Sequence, residues 1–246
     1  MIIYGKNPIK EALYQPSSKI EEILISADGE KERVYEILKL AEEKRIKVSF
    51  LPREALSRIS GTSHHQGIVA RVSEFEYKEV EQILGYAKEK GERLLLVMLD
   101  HIEDPQNLGG IIRTANVLGV HGVVIPRDRA ASVTPSVIKA SAGAAGFVRI
   151  ARVVNLVTAI KDLKKRGVWV VGADPLAPKS VFEEDFSRLD LALVIGGEGK
   201  GLKRLVKEEC DFLVSIPGVG EVSSLNASVA AGIMIYEMVR QRGTKA

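Results

Sequence analysis

Three polar stretches of the 246-residue chain combine residue types that can do chemistry. The first is Asn107-Leu-Gly-Gly-Ile-Ile-Arg-Thr-Ala-Asn116. Asn107 or a neighbour is placed to cap a helix, Gly109 and Gly110 allow close approach of backbone or ligand, and Arg113 follows as a cation on a rigid element. Six residues of helix carry Arg113 about 9 Å along the axis from Asn107. The second, Leu193-Val-Ile-Gly-Gly-Glu-Gly-Lys-Gly-Leu202, runs an apolar strand into glycines at 196, 197, 199 and 201. It matches neither a P-loop nor a dinucleotide fingerprint. Glu198 at its centre is an acid where a phosphate loop avoids one, so a cationic or ribose-bearing ligand suits it better. The third, Ile216-Pro-Gly-Val-Gly-Glu-Val-Ser-Ser-Leu-Asn-Ala-Ser228, is a tight loop entering a helix, with Ser223 or Ser224 as the expected cap and Asn226 projecting from the first turn. Each stretch alone is equally well read as a capped helix or a flexible turn.

The elements that must hold these residues fall into two textures. Over residues 1–75, helical and strand patterns alternate: IKEALYQ, EEILIS, KERVYEILKLAEEKR, KVSFL and GIVARV. A charged stretch follows, with helical spacing at Val80, Ile83, Leu84 and Ala87, and 76–92 reads as a linker helix. From residue 93 to 246, apolar runs at 94–99, 122–125, 148–153, 168–173, 191–196 and 212–216 are separated by helix-like segments. That pattern describes a buried, mostly parallel sheet in an α/β domain.

With 46% hydrophobic and 27% charged residues and no apolar run of membrane-spanning length, the chain reads as a globular protein outside the membrane. No basic-then-apolar leader opens it, so a cytoplasmic location is expected. One cysteine, Cys210, excludes an internal disulfide and a cysteine-built metal site, and it reads as a packed residue. The net charge is +3, yet residues 121–166 hold nine Lys/Arg (Arg127, Arg129, Lys139, Arg149, Arg152, Lys161, Lys164, Lys165, Arg166) against Asp128 and Asp162. This is either a phosphate-facing surface or a set of solvated helix faces. His64 and His65, just before a strand, are weaker candidates for RNA contact.

In this order, Asn-Leu-Gly-x-x-x-Arg-x-Ala, Gly-Gly-Glu-Gly-x-Gly and Ile-Pro-x-x-Gly-x-Val-x-Ser-Leu-Asn-x-Ser, the three stretches resemble the signature motifs of the SpoU, or TrmH-type, branch of the SPOUT methyltransferases. The likeness spans residues 94–241. The amino-terminal YGKNPIKEAL and HHQGIVA resemble the small RNA-binding domain, akin to ribosomal protein L30e, of the rRNA-modifying members. The resemblance implies a deep trefoil knot in the catalytic domain, a homodimer covering the apolar run AAGIMIYEMV, and S-adenosyl-L-methionine held by backbone around Gly196, Gly197, Ile216 and Leu225. It further implies 2′-O-methylation of a ribose in RNA, with 23S rRNA and a guanosine favoured over tRNA. Arg113, Asn107, Glu198, Ser224 and Asn226 are the implied catalytic residues, and no metal is required. Arginine resists deprotonation, so Arg113 is read as electrostatic or phosphate-binding rather than as a base. The competing readings are a non-catalytic RNA-binding or ribosome-assembly protein, and a dehydrogenase, for which LDHIEDPQNLGG lacks the glycine fingerprint.

Overall fold

The structure, a computed structural model, describes residues 2–14, 20–27, 34–199, 201–221 and 224–243. Its internal contacts divide between Glu76 and Tyr77 into two units.

The first unit runs β1 (Ile2–Tyr4), α1 (Lys6–Tyr14), β2 (Ile20–Ser26), α2 (Tyr35–Glu43), β3 (Lys47–Leu51), α3 (Arg53–Ser60) and β4 (Ile68–Val72). The strand order is β1-β4-β2-β3, with only β2 and β3 parallel. Successive side chains of a strand point to opposite faces, and both faces of this sheet are covered. Ile23, Ile25, Ile68 and Ala70 pack with Ile9 of α1 and Ile37 and Ala41 of α2, whereas Leu24 and Val69 face Leu56 of α3. His65 is fully buried. Its Nδ1 accepts from the Gly67 amide at 3.1 Å, and its Nε2 meets Ser57 Oγ at 3.0 Å. Because Nδ1 is an acceptor, the ring is the neutral Nε2–H form, and burial together with the nearby Arg53 holds its pKa below the usual histidine value. His65 is therefore a packing residue, which removes it from the candidate RNA contacts; His64 beside it is exposed.

The second unit runs α4 (Val80–Glu89), β5 (Leu95–Asp100), α5 (Pro105–Val117), β6 (Gly122–Pro126), α6 (Pro135–Ala140), β7 (Ile150–Val153), α7 (Leu156–Lys165), β8 (Trp169–Ala173), β9 (Leu191–Gly196), α8 (Arg204–Glu209), β10 (Phe212–Val214) and α9 (Ala227–Gln241). All six strands pair in parallel, in the order β10-β8-β9-β5-β6-β7. Strands buried on both faces explain the near-continuous Val/Ile/Leu runs in the sequence. On one face Leu96, Met98, Val124, Val170, Ala192 and Val194 pack with Ile83 of α4, Ile160 and Leu163 of α7 and Val206 of α8. Each such side chain contributes about 1.5–3 kcal/mol by leaving water. Against the other face lie α5 and α9, which pack on each other. The stretch expected as a connector is instead a core element, since Ile83 and Ala87 of α4 are buried in this unit.

The long apolar helix α9 is anchored at its far end. Gln241 accepts from the Phe186 amide at 2.7 Å and donates to the Glu184 carbonyl at 3.0 Å. Arg242, just beyond, donates to the carbonyls of Arg93, Leu94 and Leu189, each at 2.8 Å. Burial lowers the Arg242 pKa to about 10, countered by nearby Asp190. Within α9, Ala231, Met234, Ile235 and Met238 are buried, leaving Val229 and Tyr236 as its exposed large apolar side chains. Among the described residues, no helix is long and apolar enough to cross a membrane.

Candidate active site

Strand β5 pairs with β6 on one side and β9 on the other, although β9 comes far later in the chain. This is a topological switch point, the place in an open parallel sheet where the carboxyl ends of strands leave a crevice for ligand. A cavity of about 450 Å³ lies there, lined by residues that follow β5 (His101, Ile102, Glu103, Asp104, Asn107), β6 (Arg129) and β9 (Gly197, Glu198, Gly201, Lys203).

Asn107 enters the cavity from within α5. Asp104, not Asn107, caps that helix, accepting from the Gln106 amide at 3.0 Å, and Pro105 supplies the first helical residue, which needs no amide donor. Asn107 is thus placed in the first turn and buried. Gly109 and Gly110 also lie inside the helix rather than ahead of it. A Cβ on Gly109 would come within 2.4 Å of Ala140 Cβ, so this glycine permits close packing of α6 and does not face ligand.

Asn226 is the cap of α9, in place of the expected Ser223 or Ser224. Its Oδ1 accepts from the amides of Ser228 and Val229 at 2.9 and 3.3 Å and from Ser228 Oγ at 2.6 Å. That orientation turns Nδ2 towards the cavity. There it donates to Asn107 Oδ1 at 2.8 Å and to Glu198 Oε1 at 2.6 Å, and Asn107 Nδ2 donates to the same Glu198 oxygen at 3.0 Å. Three residues from the three sequence motifs therefore form one closed network, in which a carboxylate is fixed by two amide donors and keeps its second oxygen for a ligand.

The other expected residues lie outside that network. Arg113 is exposed on α5, with no hydrogen bond or ion pair to any described residue. Ser224 and Leu225 are exposed in the loop before α9, and Ser223 lies outside the described residues. Gly196 ends β9 in register with Asp100, and Ile216 follows β10, half-buried. A Cβ on Gly196 would sit 2.2 Å from the Gly201 carbonyl carbon, and one on Gly197 would sit 2.6 Å from the His101 carbonyl oxygen. Bare backbone is thus required at both positions. Cys210 is an ordinary packed thiol: burial pushes its pKa up to about 12, and Sγ donates to the Val206 carbonyl.

The basic segment 121–166 divides. Lys161 and Lys164 pair with Glu209 and Asp211, Lys165 with Asp162 and Arg166 with Glu81. The Arg149 guanidinium lies 3.2 Å from the centre of the Tyr86 ring, and Arg152 covers Tyr77 while donating to the Arg127 carbonyl. Those cations neutralise local acids and aromatic faces and form no single phosphate-facing surface. The Arg127 and Arg129 side chains, in the loop after β6, remain exposed and unpaired among the described residues.

Sequence reasoning passed over His101 and Lys203, and met Arg129 only as one member of the basic segment. Asp100 is fully buried, and its carboxylate accepts from the Lys203 amide at 2.7 Å and pairs with His101 Nδ1; His101 Nε2 in turn meets Lys203 Nζ. An Asp-His pair directly after a strand was the available signal.

Fold and site together define an α/β protein with a polar cavity at the carboxyl edge of a parallel sheet, joined to a small separate α/β unit. Residues 94–236 match the SpoU rRNA methylase family, and residues 2–78 match the RNA 2′-O ribose methyltransferase substrate-binding domain. A TrmH family tRNA/rRNA methyltransferase of Bacillus subtilis is 44% identical over 98% of this chain and 95% of its own. Among solved structures, the SpoU methyltransferase AviRb from Streptomyces viridochromogenes in complex with AdoMet is 29% identical with a TM-score of 0.67, covering 98% of this chain and 90% of its own. An AdoMet-bound rRNA methyltransferase from Sinorhizobium meliloti is 25% identical with a TM-score of 0.65, over 97% and 86%. The chain belongs to the SpoU family of RNA methyltransferases.

Proposed function

We propose that the protein transfers a methyl group from S-adenosyl-L-methionine to the 2′-oxygen of a ribose in RNA, within 23S rRNA and at a guanosine. The observation that carries the reading is the closed Asn107–Glu198–Asn226 network, one residue from each motif, at the sheet's switch point. The rRNA choice rests on the substrate-binding unit over residues 2–78 and on the likeness to a solved rRNA methyltransferase that covers 97% of this chain.

The residues fit the cofactor. Gly196 and Gly197 let the backbone of Gly201 and His101 close against them, which sets the shape of the loop a ligand would meet, and Glu198 beside them supplies a negative charge suited to a sulfonium rather than to a phosphate. Leu176 after β8, and Val219 and Leu225 in the loop after β10, are exposed apolar side chains, the kind of surface an adenine covers. The bound cofactor supplies an already electrophilic methyl carbon, so no metal is called for. Its sulfur would be the leaving group that accepts the bonding pair when the ribose 2′-oxygen takes the methyl, and the hydroxyl proton would pass to solvent. What this chain contributes is position and charge. Asn107 and Asn226 hold the Glu198 carboxylate, Glu198 and Ser224 orient the ribose and its neighbours, and Arg113 stabilises the developing alkoxide. Threading of the carboxyl-terminal loops as the family's trefoil knot, assembly as a homodimer over Val229 and Tyr236 of α9, and a cytoplasmic location complete the reading.

Tritiated methyl transfer to bulk RNA is expected for the wild type and lost in Arg113→Ala. Ribose-methylation mapping in a deletion strain is expected to lose one mark on large-subunit rRNA. A mark lost on tRNA alone refutes the rRNA assignment, and an Arg113→Ala enzyme that keeps most of its turnover refutes the role of Arg113.

A further inference from the structure

We propose that Arg129 and Lys203 form a phosphate subsite that grips the RNA backbone beside the methylated ribose, with His101 as the residue that positions Lys203. The inference rests on the function read above and adds the part of the substrate that this end of the cavity takes. The cavity spans the ends of three adjacent strands, β9, β5 and β6. At just under 5 Å per strand spacing, that is roughly 10 Å, the reach from a ribose to a neighbouring phosphodiester. The Asn107–Glu198–Asn226 network occupies one part of the cavity, and Lys203 and Arg129 bring positive charge to it from the loops after β9 and β6.

Both cations are set in place by the fold. Lys203 Nζ meets His101 Nε2, and His101 Nδ1 is held by the fully buried Asp100 carboxylate. The Lys203 ammonium has three hydrogens and meets His101 with one, which leaves the others for a ligand. His101 itself has φ +61°, a conformation that side chains rarely adopt and that places its ring between the two partners. Arg129 has φ +53°, in a loop fastened by the Ala131 amide to the Ile102 carbonyl at 2.8 Å. Two residues at positive φ on the two sides of one cavity, each presenting a basic or hydrogen-bonding group to it, mark a built surface. Three acids line the cavity: Asp104 caps α5, Glu198 has one oxygen held by two amides, and Glu103 is exposed, so the two cations face a mixed rather than a purely basic lining. Lys161, Lys164 and Lys165 of α7 and Arg166 just beyond it have acidic partners, whereas the Arg129 side chain has none among the described residues.

The test uses the full-length protein and unmethylated bulk rRNA from a deletion strain. Arg129→Gln and Lys203→Gln are each expected to raise KM for the RNA about tenfold. The slope of log KM against log salt should fall by about one for each cation removed. kcat should stay within about threefold, and the calorimetric Kd for S-adenosyl-L-methionine should not change. His101→Ala should raise KM in the same direction, and adding it to Lys203→Gln should cost less than the sum of the single changes. Unchanged KM and salt slope in both Gln variants, with the wild type methylating RNA, overturn the subsite and leave the function standing. A wild type that methylates no RNA overturns both.

Discussion

Asn226 offers a clean separation of folding from catalysis, because its two side-chain atoms serve different ends. Its oxygen caps α9 and its nitrogen holds Glu198 and Asn107. Asn226→Ala removes both. The lost cap costs about 1 kcal/mol and the lost donations, discounted for an exposed site, about 1 kcal/mol more. For a chain of this size that lowers Tm by about 4–8 °C. Asn226→Ser keeps a competent cap, but its single hydroxyl is too short to cap the helix and also reach Glu198 and Asn107 in place of Nδ2. Tm should therefore stay within about 3 °C of wild type while methyl transfer falls about 100-fold, the loss expected when a positioned group drifts by an ångström. Asn226→Asp sharpens the test. It also caps well, yet it sets a second carboxylate against Glu198 in place of a donor 2.6 Å away. Two carboxylates so close favour sharing one proton, which raises the pKa of the pair, and the protonated acid restores a donor to Glu198. Its activity relative to wild type should therefore climb as the pH falls from 8 to 6. Tritiated transfer across that range, with Tm measured on the same preparations, decides the matter. A Ser variant with wild-type kcat and KM, or an Asp variant whose relative activity is flat with pH, refutes the claim that Asn226 acts by holding Glu198.

Replacing Arg242 by Met leaves the carbonyls of Arg93 and Leu189 without this donor and Leu94 with only the Leu191 amide, and should destabilise the protein by about 2 kcal/mol, seen as a lower midpoint in urea. Gly196→Ala would drive a methyl to 2.2 Å from the Gly201 backbone; we expect at least tenfold weaker binding of S-adenosyl-L-methionine by calorimetry, and unaltered affinity would refute the required bare backbone. Stability should also depend on pH in a window set by two histidines. His65 and His121 are buried neutral with native pKa values pushed down mainly by burial, the Glu92 contact only partly offsetting it for His121. The unfolded chain takes up protons near pH 6.5 while the native chain does not, so stability is fully present above about 6.5 and declines as pH falls from there towards the lowered native values. A Tm that is level between pH 7.5 and 5.5 contradicts this.

The strand runs were legible because parallel strands buried on both faces leave unbroken apolar segments: β9 falls on Leu191–Gly196, as the pattern predicts. Two elements escaped. β1 is three residues long, and α3, Arg53–Ser60, buries only Leu56, so neither leaves a periodic apolar signal. The cap of α5 was misplaced by three residues, although Asp104-Pro105 is itself a strong start signal. The cap of α9 was missed in the same way, since Ser224 and Asn226 are equally apt by type and only the geometry chooses. Within the site, Asn107, Glu198 and Asn226 were legible as residue types in motifs, but their union was not, because it joins positions 91 and 119 residues apart. Sequence separation likewise hid the pairing of Lys161 and Lys164 with Glu209 and Asp211, and so left a phosphate surface and solvated helix faces as equal readings of the same charges.

The double duty of Asn226 reaches beyond the site. A ligand that settles on Glu198 favours the Asn226 orientation that also caps α9, so ligand binding and the closing of the helix's first turn are linked equilibria, each strengthening the other. The far end of the helix is held by Gln241 and Arg242, so the opening that such linkage suppresses is confined to the first turn. The amides of Ser228 and Val229, whose acceptor is the Asn226 oxygen, should then act as built-in reporters, exchanging their hydrogens more slowly when the cofactor site is filled while the amides of the last turn keep their rates.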